Sequence, residues 1–130
     1  MPPDNTDTVA PGTDVLFPND GPTFGSDVTR SGPGAFKLAK IGVYQVSFQV
    51  SVSEAGQLCL TLNTQEQDYT VVGRATGTSQ IVGMFLIATT TPNSILTVRN
   101  PATETTALTI TLISGGTKPV SAHVIITRLN

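Results

Sequence analysis

The chain has very little of the material that small proteins use for cross-links, catalysis or metal binding. Its 130 residues contain one cysteine, Cys59, one histidine, His123, and no tryptophan. A single cysteine cannot form a disulfide within the chain, which excludes the class of small secreted domains that rely on bridges. One histidine and one cysteine cannot supply the three or four ligands of a zinc site. A core of buried apolar side chains must therefore stabilise the fold, and a chain of this length can form one.

Charge is also scarce. Charged residues make up 12% of the chain, and the formal net charge is −2. Binding to nucleic acid needs clustered lysine and arginine, and so does attraction to an anionic membrane surface. Neither partner is expected here, because the seven basic residues are scattered over the sequence: Arg30, Lys37, Lys40, Arg74, Arg99, Lys118 and Arg128.

Long apolar runs are missing. No stretch reaches the roughly 18 residues that a membrane-spanning helix requires. The N-terminus lacks the charged and then apolar segments of a signal peptide. We therefore expect no membrane insertion, and either export without a cleaved signal or a chain whose targeting segment has been removed.

What the sequence does have is strict alternation of apolar and polar side chains. In Gly42–Val52 the apolar side chains fall at every second position from Tyr44 to Val52. This period of two predicts a half-buried β-strand over about 42–53. No segment of ten residues has a helical period. Further strands are predicted over 35–39, 57–62, 69–72, 80–88, 95–98, 107–113 and 120–129, with a hairpin turn at 54–56 and short edge strands within 13–33.

Eight to ten strands separated by turns predict an all-β sandwich or barrel. Two of the predicted strands, 80–88 and 120–129, are apolar on both faces. Antiparallel sheets usually keep one wet face, so the second face of these strands needs a cover. A second copy of the chain is the simplest cover, and we expect a homo-oligomer.

The order of these pieces resembles the tumour necrosis factor-like and complement-type globular heads. The segment Ala35–Tyr44 matches their pattern of a strand, a short turn and Gly-Val-Tyr. Four ordered stretches most resemble the C-terminal domains of Bacillus spore-surface (exosporium) collagen-like glycoproteins of the BclA type: GVYQVSFQVSVSEAGQLCLTLN, YTVVGRATGTSQIVG, NSILTVRNP and PVSAHVIITRL.

The resemblance covers about residues 13–130. It implies a jelly roll of about ten antiparallel strands that forms a trimer at the tip of a surface stalk. Residues 1–12 would then be a flexible leader or linker. The trimer interface would include Phe85, His123, Ile125 and Leu129. The chain has no Gly-X-Y repeat, so a collagen-like stalk is either absent or removed.

The candidate reactive groups are more simply explained as structural. His123 could meet two copies of itself at a three-fold axis as a metal or proton site, but a packed interfacial histidine is the favoured interpretation. Cys59 faces away from the row Leu58, Leu60 and Leu62, and it is interpreted as a small hydrophobe. The aspartate pairs Asp4/Asp7 and Asp20/Asp27 lack the spacing of a calcium loop.

Two functions remain open. The first is a non-enzymatic trimerising head with a structural and interaction role on a surface filament. The second is a module that binds carbohydrate or a receptor, such as a lectin-like domain or a phage tip. The glycine-rich segment Gly73–Ser79 is interpreted as a connection between strands that could bind sugars or proteins. No cofactor is expected, and catalysis is not expected because acids, bases and nucleophiles do not cluster.

Overall fold

A computed structural model describes residues 8–76, 79–111 and 114–130 as an all-β sandwich of antiparallel sheets, which confirms the predicted fold class. A single turn of 3-10 helix at Asp68–Thr70 is the helical element among these residues. The strands are β1 (Thr8–Val9), β2 (Val28–Gly32), β3 (Ala35–Leu38), β4 (Val43–Val52), β5 (Gly56–Leu62), β6 (Gln65–Glu66), β7 (Val72–Arg74), β8 (Ser79–Ala88), β9 (Ser94–Arg99), β10 (Leu108–Thr109) and β11 (Ala122–Arg128).

Successive long strands alternate between two sheets. The larger sheet has the order β2-β3-β9-β5-β6, and β7 also pairs with β5. The smaller sheet has the order β11-β4-β8. A short ladder joins β1 to β10. From β3 onwards the path of the chain crosses from one sheet to the other at β4, β5, β8, β9 and β11, so sequence neighbours face each other across the core.

The core lies between these two sheets and follows the predicted alternation of β4. Tyr44, Val46, Val50 and Val52 are fully buried, and Phe48 is 2% exposed. Leu58 and Leu60 of β5 are buried in the opposite sheet. The Tyr44 hydroxyl lies at the end of this row and donates a hydrogen bond to the Lys40 carbonyl at 2.6 Å, so its polar group is satisfied.

The predicted hairpin at 54–56 is wrong. β4 and β5 do not pair, because β4 lies between β11 and β8 while β5 lies between β9 and β6. The short link instead carries the chain from one sheet to the other. Leucines on β5 can then bury themselves against the apolar row of β4 instead of lying beside it.

The strand predicted over 69–72 is also wrong. At this point the Thr70 side chain, and not a strand backbone, pairs with the backbone of β5. The Thr70 hydroxyl accepts a hydrogen bond from the Leu60 backbone N–H at 2.8 Å and donates one to the Gln67 carbonyl at 2.7 Å. These bonds hold Asp68–Thr70 in a 3-10 turn against β5. The paired strand β7 begins only at Val72.

The predicted leader over 1–12 is too long. Residues 1–7 lie outside the described residues, but Thr8 and Val9 pair with Thr109 and Leu108. Val9 is 4% exposed. Its carbonyl accepts a hydrogen bond of 2.9 Å from the side-chain amide of Asn100. Backbone pairing and apolar burial therefore make residues 8–12 part of the domain.

Glu54, two residues after the end of β4, forms hydrogen bonds to Thr109 of β10. Its carboxylate accepts hydrogen bonds from the Thr109 backbone N–H at 2.6 Å and from the Thr109 hydroxyl at 2.7 Å. These bonds favour the ionised form and hold the pKa of the Glu54 carboxyl below its ordinary value of 4.5. The stabilisation is present above the ordinary pKa and is lost as pH falls through the folded-state pKa.

Acidification should therefore destabilise the wild type more than a Glu54→Gln variant. We expect the difference between their thermal midpoints to shrink as pH is lowered from 6 to 3, because the glutamine cannot titrate. Glu104→Gln, a change of the same kind in the segment before β10, serves as the control. An equal loss in wild type and Glu54→Gln would contradict this role of Glu54.

Candidate interaction face

The smaller sheet has an outward side that no other described part of the chain covers well. We call its nine central side chains the outer face. The register aligns them in three rows across β11, β4 and β8. The rows are His123–Gln49–Val82, Ile125–Ser47–Met84 and Thr127–Gln45–Leu86.

Large apolar side chains on this face are exposed. Val82, Met84, Leu86 and Ile125 have exposed fractions of 56%, 65%, 54% and 65%. Single exposed hydrophobic residues are ordinary, but three along one strand and a fourth across the same sheet face make this face a candidate for interaction. β8 is therefore apolar on both sides, as the sequence predicts, whereas the outward row of β11 has Ile125 between the polar His123 and Thr127.

None of the nine side chains carries a formal charge with histidine neutral. Charged residues are depleted in the centres of protein interfaces, where methionine is enriched. A face of this kind brings no charge of its own against the surface of another copy. Its chemistry is therefore compatible with a second copy of the chain.

A shallow groove runs across the middle of the outer face. Ser47 and Gly83 are small, and the larger side chains of Met84, His123 and Ile125 rise around them. The groove has a volume of about 210 Å³. Ligand pockets for drug-sized molecules measure roughly 300–1,000 Å³, so this groove fits a single side chain better than such a ligand.

Phe85 does not lie on the outer face, contrary to the sequence expectation. It pairs with Val46, on the row of β8 that faces the core. Its ring packs on Phe48 with centroids 6.2 Å apart. A Cβ atom on Gly83 would lie 2.6 Å from the Phe85 ring and 2.7 Å from the Phe48 ring, so the two rings fill the space that glycine leaves. Val82, Met84 and Leu86 take the outward positions instead.

The other predicted interface residues point outward. His123 is exposed in the first row of the outer face, and Ile125 lies in the second. Leu129 follows β11, is 53% exposed and continues the same alternation. Among the described residues there is no group of three or more histidine, cysteine, aspartate or glutamate side chains that could hold a metal ion.

Cys59 lies in the larger sheet, far from solvent. Its side chain is fully buried, and burial raises the pKa of the thiol to about 12. The thiolate is the reactive form of cysteine, so this thiol is inert at neutral pH. The structure places Cys59 as a small packed hydrophobe beside Arg99, its partner on β9.

A second, polar depression lies at the end of the larger sheet near the segment that follows β7. It has a volume of about 470 Å³ and is lined by Gln57, Arg74 and Glu104 among others. Arg74 Nη2 donates hydrogen bonds of 2.8 Å to the carbonyls of Val52 and Glu54. Arg74 Nε and Nη1 are buried and have no acceptor among the described residues. Arg74 belongs to the glycine-rich segment Gly73–Ser79 that the sequence analysis names as able to bind sugars or proteins, and residues 77–78 within that segment lie outside the described residues.

No family model matches this chain, and no curated protein matches it significantly. Among the described residues, no helix is long and apolar enough to cross a membrane.

Proposed function

We propose that this domain is a non-enzymatic head that assembles as a homotrimer through its outer face and has a structural and interaction role. The observation that carries the proposal is the uncharged outer face, with four large apolar side chains exposed on one sheet. Burying such a surface against other copies stabilises an assembly by roughly 25 cal/mol for each Å² of apolar area removed from water.

The path of the chain supports a jelly roll of the tumour necrosis factor-like kind. Long strands that alternate between two antiparallel sheets are what a wound double-sheet fold requires. The sheet order places β11, β4 and β8 together. Together with the resemblance to exosporium collagen-like proteins, this arrangement supports a location on the spore surface or elsewhere outside the cell.

The assembly can be tested with the same substitution in two exposed valines. Val82 belongs to the outer face, whereas Val71, just before β7, is not one of its nine side chains; their exposed fractions are 56% and 37%. We expect Val82→Asp to convert a trimer to monomers at micromolar concentration, because an unpaired carboxylate in an interface is costly. Val71→Asp should remain trimeric. Sedimentation equilibrium measures both, and circular dichroism checks that each variant is folded.

A wild-type chain that sediments as a monomer at micromolar concentration would contradict the proposal. A stable assembly that tolerates Val82→Asp but dissociates with Val71→Asp would place the interface elsewhere on the domain.

The second candidate function is binding of carbohydrate or a receptor, and the polar depression favours it. Its volume of about 470 Å³ lies within the range of ligand sites. Arg74 lines the depression, and its Nε and Nη1, although buried, have no acceptor among the described residues. A glycan array on the purified protein separates the two candidates, with Arg74→Lys as the comparison. Selective sugar binding that weakens in Arg74→Lys would support a binding module, and absence of binding would leave the structural head.

A further inference from the structure

Phe24 is the most exposed large apolar side chain among the described residues. Its exposed fraction is 103%, so no other described residue covers the ring. It lies in the loop between residue 17 and β2, and the neighbouring Gly25 has a φ of +74°, a conformation that glycine adopts without strain. We call residues 21–26 the Phe24 loop. None of these six residues is charged.

The two ends of this loop are fixed by ion pairs. On one side, Asp20 Oδ1 lies 2.8 Å from Arg30 Nε and 2.7 Å from Arg30 Nη2. On the other side, Asp27 lies 3.3 Å from Lys40 Nζ and 3.6 Å from Arg128 Nη1. The Asp27 carbonyl also accepts a hydrogen bond of 2.9 Å from the Ala39 backbone N–H. Fixing both ends lowers the entropy that the loop loses when its tip docks.

These anchors also place the loop relative to the outer face. Arg128 is the last residue of β11, and β11 is an edge strand of the smaller sheet. The pair between Asp27 and Arg128 therefore sets one end of the Phe24 loop at the border of the sheet that carries the outer face.

The groove on the outer face has the size and chemistry of a site for this ring. Its volume is about 210 Å³. An apolar cavity of roughly 150 Å³ is enough to hold benzene. The groove is bounded by Val82, Met84 and Ile125, and no charged side chain lines it. The groove and the Phe24 loop thus match in size, apolar character and lack of charge.

We propose that Phe24 of one copy inserts into the outer-face groove of the neighbouring copy. This inference rests on the proposed function, because it needs the chain to assemble with itself. The inserting residue and the groove occupy different places on the domain, so the contact is head-to-tail. A head-to-tail contact that closes on itself forms a ring such as a trimer, whereas a two-fold dimer would place one groove against another.

The first experiment compares Phe24→Ala with Thr23→Ala by sedimentation equilibrium over a concentration series. We expect Phe24→Ala to raise the dissociation constant by about thirtyfold or more, as truncation of a central aromatic contact does. Thr23→Ala should leave it unchanged. Thermal unfolding at low concentration should be the same for both variants, because Phe24 contributes no buried surface to the isolated domain.

The second experiment tests the contact itself by disulfide trapping between two chains of different tag length. One chain carries Phe24→Cys and the other Ser47→Cys, and mild oxidation should link them in a band of mixed size on a non-reducing gel. Phe24→Cys with Val71→Cys is the control pair and should not link. The native Cys59 adds no background, because it is fully buried.

Each outcome decides between the two proposals. If the wild type assembles and Phe24→Ala assembles equally well, the insertion of Phe24 is overturned while the self-associating head stands. If the wild type is monomeric, the proposed function fails first. Weaker assembly of Phe24→Ala together with a Phe24–Ser47 cross-link between chains would support the insertion, and a cross-link to Val71 of equal yield would overturn it.

Discussion

Replacing Phe48 with alanine should lower the free energy of unfolding by about 3–5 kcal/mol. Phe48 is 2% exposed and lies at the centre of β4. Its ring packs on Phe85 and covers the space above Gly83. Truncation removes that apolar contact and leaves a cavity, which a strand held between two neighbours cannot close by moving. Urea unfolding at a fixed protein concentration measures the change.

Gln49→Ala is the matched control for this prediction. Gln49 is the next residue of the same strand, but it belongs to the outer face and is half-buried. Its loss should cost well under 1 kcal/mol when both variants are compared at a concentration at which the chain is monomeric, as most surface substitutions do. The reverse order of the two losses would show that β4 is shifted by one residue, because a shift of one residue moves every side chain to the other face.

Asp14→Ala should lower the free energy of unfolding by about 2 kcal/mol, the range for hydrogen bonds to a charged group. Asp14 Oδ1 accepts hydrogen bonds of 2.9 Å from Arg99 Nε and from the Thr97 hydroxyl. The side chains of Asp14 and Arg99 are only 29% and 17% exposed, so solvent screens the pair weakly. Without the carboxylate, the guanidinium of Arg99 is left half-buried and short of an acceptor.

A double-mutant cycle separates this pair from general loss of packing. The coupling energy of Asp14→Ala with Arg99→Ala should exceed that of Asp20→Ala with Arg30→Ala. The second pair has the same residue types at a similar distance, but Asp20 is 63% exposed. Exposed pairs contribute roughly 0–1 kcal/mol. Equal coupling energies would show that the position of Asp14 in the larger sheet adds no stability.

The two proposals make one physical argument about self-assembly. The apolar side chains of the outer face are removed from water when a second copy covers them. The Phe24 ring is likewise removed from water when it enters the groove. Neither surface carries a formal charge, so no ionised side chain of either has to lose its water in the contact. The charged residues near the Phe24 loop are already paired within one domain, which leaves the tip of the loop free to bind.

Much of the secondary structure was predictable, because alternation is a local property. The apolar residues at every second position of β4 predict an extended strand and identify its buried row, and the structure confirms both. The predicted ends lie within two residues of the observed ends for β5, β8, β9 and β11. The strand predicted over 107–113 is longer than the observed β10, which comprises Leu108–Thr109. Residues 112–113 lie outside the described residues.

Part of the candidate site was predictable for the same reason. The sequence shows that β8 and β11 are apolar on both rows, and this alone predicts a face that needs a cover. It cannot tell which row is which in β8, since Ile81, Val82, Phe85 and Leu86 are all apolar. The pairing of Phe85 with Val46 decides the matter and turns the ring towards the core.

By itself, then, the sequence determined that this chain is an all-β protein with one buried row in β4 and two strands that need cover on both sides. Only the tertiary structure decided that β4 and β5 lie in opposite sheets and that Asp14 meets Arg99, 85 residues away. It also decided that the Phe24 side chain is exposed and that a groove lies on the outer face of the smaller sheet. The reason is that alternation depends on neighbours along the chain, whereas pairing, register and the exposure of a loop depend on contacts between distant segments.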